Sequence, residues 1–309
     1  MNDGRIRAAP GHSRLPMDRV LAAYNLALAA VWAAAWTSAP HAPWIALAHV
    51  TAAALPWLFS RVPEPRSRIT DIVHELYPYV WLGAFWSELD LLRPVLDLTG
   101  IDGPVAALDR TLFGMHLHEV WAPAMPQLWF SELMYFSYFF YYALIVVPPL
   151  AALLQRRTDA LRDLTFRLMV TYLACYVIFM VFPVDGPHFL YEHFQGPHTK
   201  GFFYGLVDVT QQAGDARGCS FPSSHVAAAV VIALSAWLWF PRCAAVVVTV
   251  GAVGVFLATT YTQNHYAIDA VAGVVYALVL QVTAVPWLRR WLDRATYGGP
   301  RRTGSPSAG

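Results

Sequence analysis

The sequence predicts an all-α protein, a polytopic membrane bundle of about eight transmembrane helices. Of its 309 residues, 57% are hydrophobic and only 13% are charged, whereas soluble domains carry about 25% charged residues. The chain also contains eight apolar runs close to the ~20 residues that cross the hydrocarbon core of a bilayer. Most of the surface is therefore expected to face lipid. We expect membrane lipids as partners and no nucleic acid.

The eight expected spans follow one another along the chain, at residues 20–38, 41–60, 72–92, 131–154, 163–183, 223–240, 243–262 and 265–287. The first run is longer than the apolar core of a signal peptide, and a second span follows at once. The third span is the weakest, because Glu75, Glu88 and Asp90 lie near its ends.

The distribution of basic residues predicts the topology. With a cytoplasmic N-terminus, 17 of the 21 Lys and Arg residues lie on the cytoplasmic side, and only Arg93, Arg110, Lys200 and Arg217 lie outside. This asymmetry is what the positive-inside rule expects. Both termini are therefore predicted to be cytoplasmic. The bias toward Arg and Ala is typical of a GC-rich bacterial genome, which favours a bacterial plasma membrane.

Three regions are predicted. Residues 1–70 form an N-terminal region with two transmembrane helices, and residues 71–290 form a catalytic membrane domain whose motifs lie within 183–273. Residues 291–309 are rich in Gly, Pro, Arg and Ser and are expected to be a disordered cytoplasmic tail. The outer loop 93–130 contains an amphipathic stretch that is expected to lie on the membrane surface.

The first chemical motif precedes the sixth span, in Cys219-Ser220-Phe221-Pro222-Ser223-Ser224-His225. Proline is favoured in the first turn of a helix, so the turn after Pro222 presents the backbone N–H groups of Ser223 and Ser224 together with the His225 imidazole. Such a helix N-terminus is suited to phosphate. The simpler alternative is helix capping by serine, with His225 as a polar residue at the interface.

The second motif opens the eighth span, in Asn264-His265-Tyr266-Ala267-Ile268-Asp269. Residues four apart share a helix face, so Asp269 can accept a hydrogen bond from one ring nitrogen of His265. A carboxylate inside a membrane span is costly and indicates a functional or paired role. A purely structural His–Asp pair is the alternative.

The predicted spans bring both motifs to one membrane face. A histidine backed by a carboxylate can attack phosphorus, and a second histidine can protonate the leaving oxygen. Backbone amides and serine hydroxyls can stabilise the charge of the transition state. The set His225, His265 and Asp269 therefore predicts cleavage or transfer of a lipid-linked phosphate ester at the extracytoplasmic face.

Pro222-Ser223-Ser224-His225 followed by His265-Tyr266-Ala267-Ile268-Asp269 resembles the motif pair of the type 2 phosphatidic acid phosphatase superfamily. The resemblance covers about residues 125–287 and implies a six-helix phosphatase-like catalytic core. It implies that His265 is the nucleophile that forms a phosphohistidine, that Asp269 orients it and that His225 is the general acid. Ser223 is implied to be a phosphate ligand, and Ser224 stands where the family usually has Gly.

Some basic residues of the family pattern are missing. Trp86 stands in place of the usual Lys ahead of Arg93-Pro94, and Thr259 in place of an Arg. These departures, with the segment 182–188 and Ser131-Glu132, make the chain similar to the inositol phosphorylceramide synthase branch, whose members are expected to transfer a phosphoryl headgroup between lipids.

A bound phosphate needs countercharge in a partly dry site. Arg217, His188 and Lys200 are the candidates on the correct face, with Arg217 preferred because it lies just before the Pro222 turn. Asn264 and Glu132 are expected near the substrate. Each of the three basic candidates has an alternative interpretation as an ordinary loop residue, and Glu132 as an interfacial side chain.

No cofactor or metal is expected. His188, His193 and His198 recur every five residues, a spacing that suits neither a helix nor a strand, and no Cys pair has zinc-ligand spacing. Two other functions remain open. One is an intramembrane serine protease that uses Ser223 or Ser224 with His265. The other is a non-catalytic transporter or scaffold, for which two similar halves with broken helices would be expected.

Overall fold

The computed structural model describes residues 16–63 and 66–297 of the chain. Its α-helices are α1 (Pro16–Ala34), α2 (Ala42–Ala53), α3 (Leu55–Arg61), α4 (Arg68–Val95), α5 (Asp102–Phe113), α6 (Leu117–Ala124), α7 (Leu128–Leu154), α8 (Thr158–Val181), α9 (Pro187–Leu190), α10 (Phe202–Gly214), α11 (Ser224–Trp239), α12 (Arg242–Tyr261), α13 (Ala267–Val282) and α14 (Ala284–Tyr297). A 3₁₀ turn covers Pro197–Thr199. The predicted all-α class is confirmed for the described residues.

Five helical segments are long and apolar enough to cross a membrane: Ala42–Arg61, Leu128–Leu154, Thr158–Val181, Arg242–Tyr261 and Ala267–Arg294. They support an integral membrane protein. Helices also occupy the other three predicted positions, 20–38, 72–92 and 223–240, and α11 is an apolar helix of only 16 residues. The count of eight spans and the six-helix core stay predictions.

The described residues form two compact units, one within 1–74 and 286–309 and the other within 75–285. In the first unit the buried polar side chains are paired. His74 Nε2 lies 3.1 Å from an Asp18 carboxylate oxygen, and His49 Nδ1 lies 2.8 Å from Asn25 Oδ1. Such pairing is what apolar surroundings require of polar groups.

The second unit is organised around α11, which packs against α7, α8, α12 and α13. Its sequence explains this central position, because Ala227, Ala228 and Ala229 are fully buried and let neighbouring helices approach closely. α7 also contacts α10 and α12. The N-terminal ends of α11 and α13 carry the two predicted motifs.

The C-terminal region differs in part from the prediction. Residues 291–297 of the expected tail belong to α14, in which Leu292 is buried while Trp287 and Trp291 are exposed; an amphipathic sequence favours a helix here. Residues 298–309, including Arg301 and Arg302, lie outside the described residues. So do residues 1–15, with Arg5, Arg7 and Arg14 of the topology prediction.

Candidate active site

The N-terminal ends of α11 and α13 lie against each other. The backbone N–H of Ser223 donates to the carbonyl oxygen of Asp269 at 3.0 Å. Gly273 permits this contact, because a Cβ atom there would lie 2.6 Å from the Ser223 carbonyl oxygen. The close approach brings His225 and His265 together, with ring centroids 5.7 Å apart and an interplanar angle of 67°.

His265 is held by Ser220, a residue that the sequence did not single out for the site. Its Nδ1 lies 3.0 Å from the Ser220 carbonyl oxygen and 3.0 Å from the Ser220 hydroxyl. A carbonyl oxygen only accepts hydrogen bonds, so Nδ1 carries the proton and Nε2 is the basic nitrogen.

The predicted contact between His265 and Asp269 is present but longer. Asp269 Oδ2 lies 3.5 Å from His265 Nδ1, and it accepts a shorter hydrogen bond of 2.6 Å from the Ser220 hydroxyl. Ser220 therefore stands between the imidazole and the carboxylate. The hydroxyl accepts from the ring and donates to the carboxylate, so Asp269 acts on the orientation of His265 partly through Ser220.

Asp269 is completely buried in the first turn of α13. Its Oδ2 accepts from the backbone N–H of Tyr266 at 3.0 Å, and the positive end of the helix dipole favours a negative charge at this position. Its Oδ1 is buried and has no hydrogen-bond partner among the described residues. The carboxylate is thus fixed by one oxygen alone.

His225 lies in an aromatic environment formed by α7. Its ring centroid is 4.3 Å from that of Tyr141, and Nε2 lies 3.4 Å from the Tyr138 hydroxyl. Its Nδ1 is buried and has no hydrogen-bond partner within the described part of the chain. Both tyrosines belong to the aromatic-rich run of α7, where spacing by three residues signals a shared helix face.

Ser223 and Ser224 lie where the first motif predicts them, and the capping interpretation holds for Ser223. Ser223 is the N-cap of α11, and its hydroxyl accepts from the backbone N–H of Val226 at 3.4 Å. Ser224 is the first residue of the helix and is buried. The prediction that the Ser223 backbone N–H is available to an anion is wrong, because it donates to the Asp269 carbonyl oxygen. The backbone N–H of Ser224 remains the feature of this turn suited to an anion.

Segment 182–188 lies beside the two motifs. Val184 and Cys219 form a parallel β-bridge, and Ser220 donates its backbone N–H to the Val184 carbonyl oxygen at 2.9 Å. Gly186 has φ +86°, and a Cβ atom there would lie 2.6 Å from the Ser220 hydroxyl. Only glycine satisfies both the backbone conformation and the space.

Asp185, in this segment, contacts two arginine side chains. Arg93 forms a bidentate ion pair with its carboxylate, and Arg217 Nη1 lies 3.9 Å from its Oδ2. The Arg217 side chain is 52% exposed and its guanidinium lies 4.9 Å from the centroid of the Phe189 ring. Arg93 was not among the predicted phosphate ligands, although Arg93-Pro94 was the recognisable part of the family pattern.

The predicted site residues His188, Lys200 and Asn264 lie in different surroundings. His188 Nε2 lies 3.9 Å from Asp215 Oδ2, and burial lowers the pKa of His188 to about 4, so its ring is neutral at physiological pH. Lys200 is exposed after the 3₁₀ turn. Asn264 donates to the Thr262 hydroxyl at 2.7 Å.

Glu132 has a structural partner. Its Oε1 accepts from the backbone N–H groups of Phe203 and Tyr204, at 3.0 and 3.4 Å. Glu132 therefore caps the N-terminal end of α10, where two amides would otherwise lack partners.

A small cleft, open to solvent, has residues just before the second motif in its lining. Thr262 and Gln263, just before the second motif, form one wall, and His188 and His193 form another. Gln211, also in its lining, donates to Asn264. Asn264, which precedes His265 in the chain, therefore contacts a residue of this cleft.

The fold and site define a class: a helical protein with membrane-crossing segments and a pair of histidines at two adjoining helix N-termini. A family model described as the PAP2 superfamily matches residues 103–283, more than half of the chain. The chain belongs to the PAP2 superfamily, whose members are typically phosphatases acting on phosphate esters. Comparisons with curated proteins and with solved structures find no match.

Proposed function

We propose that this chain hydrolyses or transfers a lipid-linked phosphate ester through a phosphohistidine formed on His265. The observation that carries the proposal is the geometry of His265, whose Nδ1 contacts Ser220 and whose ring lies edge-on to His225. With the proton on Nδ1, the lone pair of Nε2 is available to attack phosphorus.

The proposed first step forms a bond between His265 Nε2 and phosphorus while the bond from phosphorus to the leaving oxygen breaks. Protonated His225 gives its proton to that oxygen and becomes neutral. In the second step neutral His225 takes the proton of a water molecule or an alcohol, whose oxygen displaces the phosphoryl group from His265. Both histidines then return to their starting states.

Charge stabilisation is assigned to the first turn of α11 and to the arginines near it. Backbone N–H groups at a helix N-terminus favour the oxygens of a phosphoryl group. Arg217 is the preferred cation, because its half-exposed side chain lies near Asp185 without the bidentate pairing of Arg93. The burial that keeps His188 neutral makes it the weaker candidate.

The geometry favours a histidine nucleophile over a serine nucleophile. In a serine hydrolase the serine and the carboxylate contact opposite nitrogens of the histidine. Here Ser220 and Asp269 both lie at Nδ1 of His265, and the Ser223 hydroxyl serves as a helix cap.

The substrate is proposed to be a membrane lipid, and the reaction is assigned to the extracytoplasmic face with both termini in the cytoplasm. The inositol phosphorylceramide synthase-like branch, with transfer of a headgroup to a lipid alcohol, is the finer form of the proposal. This finer form rests on the resemblance of segment 182–188 and of Ser131-Glu132 to motifs of that branch. It also rests on the Lys and Arg of the usual superfamily pattern that this chain lacks.

The test is mass spectrometry of the purified protein after brief exposure to a panel of lipid phosphates. A phosphoryl group on His265 indicates a monoester donor, and a headgroup-phosphoryl adduct indicates a diester donor. His265→Ala should give no adduct. Turnover without a histidine adduct in the wild type, or an adduct that persists in the variant, would overturn the proposal.

The orientation has its own test. Lys200→Cys adds an exposed thiol to the proposed outer face, and native Cys243 is an exposed thiol on the proposed inner face. In intact cells a membrane-impermeant maleimide should label the added cysteine and spare Cys243. The reverse pattern would place the site on the cytoplasmic side.

A further inference from the structure

A group of three metal-ligating side chains lies outside the proposed catalytic set. Asp109, near the end of α5, and His116 and His118, at the start of α6, bring one ligand atom each within 4.8 Å of one another. None of the three belongs to the evenly spaced histidines of the sequence, His188, His193 and His198.

The buried polar atoms of this group lack hydrogen-bond partners. They are Asp109 Oδ2, His116 Nδ1 and both ring nitrogens of His118, and none has a hydrogen-bond partner among the described residues. The His118 side chain is completely buried. Buried polar groups are nearly always hydrogen-bonded, so three side chains with such atoms, each offering one ligand atom to a common point, indicate a ligand between them.

We propose that Asp109, His116 and His118 bind a divalent transition-metal ion, with Zn²⁺ as the preferred ion. Two imidazoles and one carboxylate oxygen are a ligand set that Zn²⁺ accepts in tetrahedral coordination, with a fourth position left for water or another side chain. Glu119 is suited to that fourth position, because its Oε1 lies 3.7 Å from His118 Nε2 on the more exposed side of the group.

The charge of the group fits a cation. Asp109 Oδ2 is buried and has no hydrogen-bond partner among the described residues, and a bound cation would supply the countercharge that a buried carboxylate needs. Imidazole binds a metal in its neutral form, so the two histidines add no positive charge to the site.

The position of the group connects it to the second motif. Asp109 Oδ1 accepts from the backbone N–H of Ile268 at 2.9 Å, which leaves Oδ2 for a metal. The His118 ring packs edge-on against Tyr266, with centroids 5.0 Å apart. A bound ion would therefore tie the loop between α5 and α6 to the N-terminal end of α13, beside His265.

The test uses the full-length protein in detergent, without a histidine tag and after chelator treatment. Zn²⁺ binding is measured by elemental analysis after dialysis. Co²⁺ is added separately as a spectroscopic probe, because its visible absorption reports coordination by protein ligands. The wild type should bind one ion per chain, and Zn²⁺ should displace Co²⁺ and raise the melting temperature, since binding to the native state stabilises it.

The variants are His116→Gln, Asp109→Asn and His118→Gln, with His193→Gln as the matched control. Replacing a residue that only supports a metal ligand costs about 10–100-fold in affinity, so loss of a ligand should weaken binding by at least about tenfold. The control, an exposed histidine in another loop, should bind as the wild type does.

His116 is only partly buried, so its variant keeps the test valid if His118→Gln does not fold. No ion bound to the wild type would overturn the proposal. So would equal affinity in His116→Gln and the wild type, or a loss confined to His193→Gln, which would place the ion at the other histidines.

Discussion

Ser220→Ala tests whether the Ser220 hydroxyl orients the reacting histidine. In the wild type this hydroxyl donates to Asp269 Oδ2 at 2.6 Å and lies 3.0 Å from His265 Nδ1. The substitution removes both contacts and leaves the Ser220 carbonyl oxygen, 3.0 Å from the same nitrogen. His265 should keep its tautomer but lose the hydrogen-bonded link to the carboxylate through Ser220, which leaves only the longer 3.5 Å contact with Asp269 Oδ2.

The expected size follows from the hydrogen bonds lost. A hydrogen bond to a charged group contributes about 1.5–3 kcal/mol, and about 1.4 kcal/mol corresponds to a tenfold change in rate. Ser220→Ala should therefore lower kcat by about 10- to 150-fold. KM should change little, because no substrate contact is assigned to this hydroxyl.

The assay is steady-state turnover of the lipid phosphate that labels His265, measured across the pH range in which the protein is stable. Ser235→Ala is the matched control, since Ser235 is another buried serine of this unit and its hydroxyl donates only to the Val231 carbonyl oxygen, at 2.8 Å. Wild-type kcat in Ser220→Ala would refute the bridging role. A loss as complete as that of His265→Ala would show that the serine does more than orient.

Three further predictions concern the reaction and the stability of the fold. His265→Ala should abolish turnover, whereas His225→Ala should retain activity toward a nitrophenyl ester, whose leaving group needs no proton. Equal and complete loss of activity in both variants would contradict the roles of His265 as nucleophile and His225 as general acid. Gly273→Ala should cost about 1–3 kcal/mol of stability, because the added Cβ atom would lie 2.6 Å from the carbonyl oxygen at the N-cap of α11. The control is Gly83→Ala, whose added Cβ atom would have no neighbour within 4 Å. Thermal unfolding of the two variants checks this prediction, and equal melting temperatures would refute it. Burial raises the pKa of Asp215 to about 6, with Asp90 adding to the effect, so the folded state binds its proton more tightly than the unfolded state. The charge of Asp215 therefore costs stability as the pH rises above about 4, and the cost is complete above about pH 6. Asp215→Asn should raise the free energy of unfolding at neutral pH by up to about 3 kcal/mol, which a higher melting temperature would report. That gain should disappear near pH 4, and its persistence in acid would refute the assignment.

Much of the fold was predictable because it depends on local features of the chain. The length and hydropathy of α7, α8 and α12 are properties of continuous segments, and apolar runs of this length form helices in a membrane because their backbone groups must bond internally. The order of the helices then brought His225 and His265 to one face, so the central pair of the site followed from sequence and topology together.

For the first residues of the C-terminal tail, the composition of the segment led to a wrong prediction. Residues 291–297 were assigned to a disordered segment, yet they continue α14. The Arg-rich sequence there also carries Leu292 and Trp291 at helical spacing, and Leu292 is buried. Charge content alone did not reveal that amphipathic pattern.

What the sequence by itself determined is the helical class, the apolar segments and the two histidine motifs, since each depends on residues close together in the chain. Only the tertiary structure decided that Ser220 stands between His265 and Asp269, that Arg93 pairs with Asp185 and that Asp109 meets His116 and His118. Most of these contacts join separate segments, and their hydrogen-bond distances are set by how closely helices and loops pack. A shift of one ångström between packed segments breaks a hydrogen bond, and no local pattern in the sequence records such a shift.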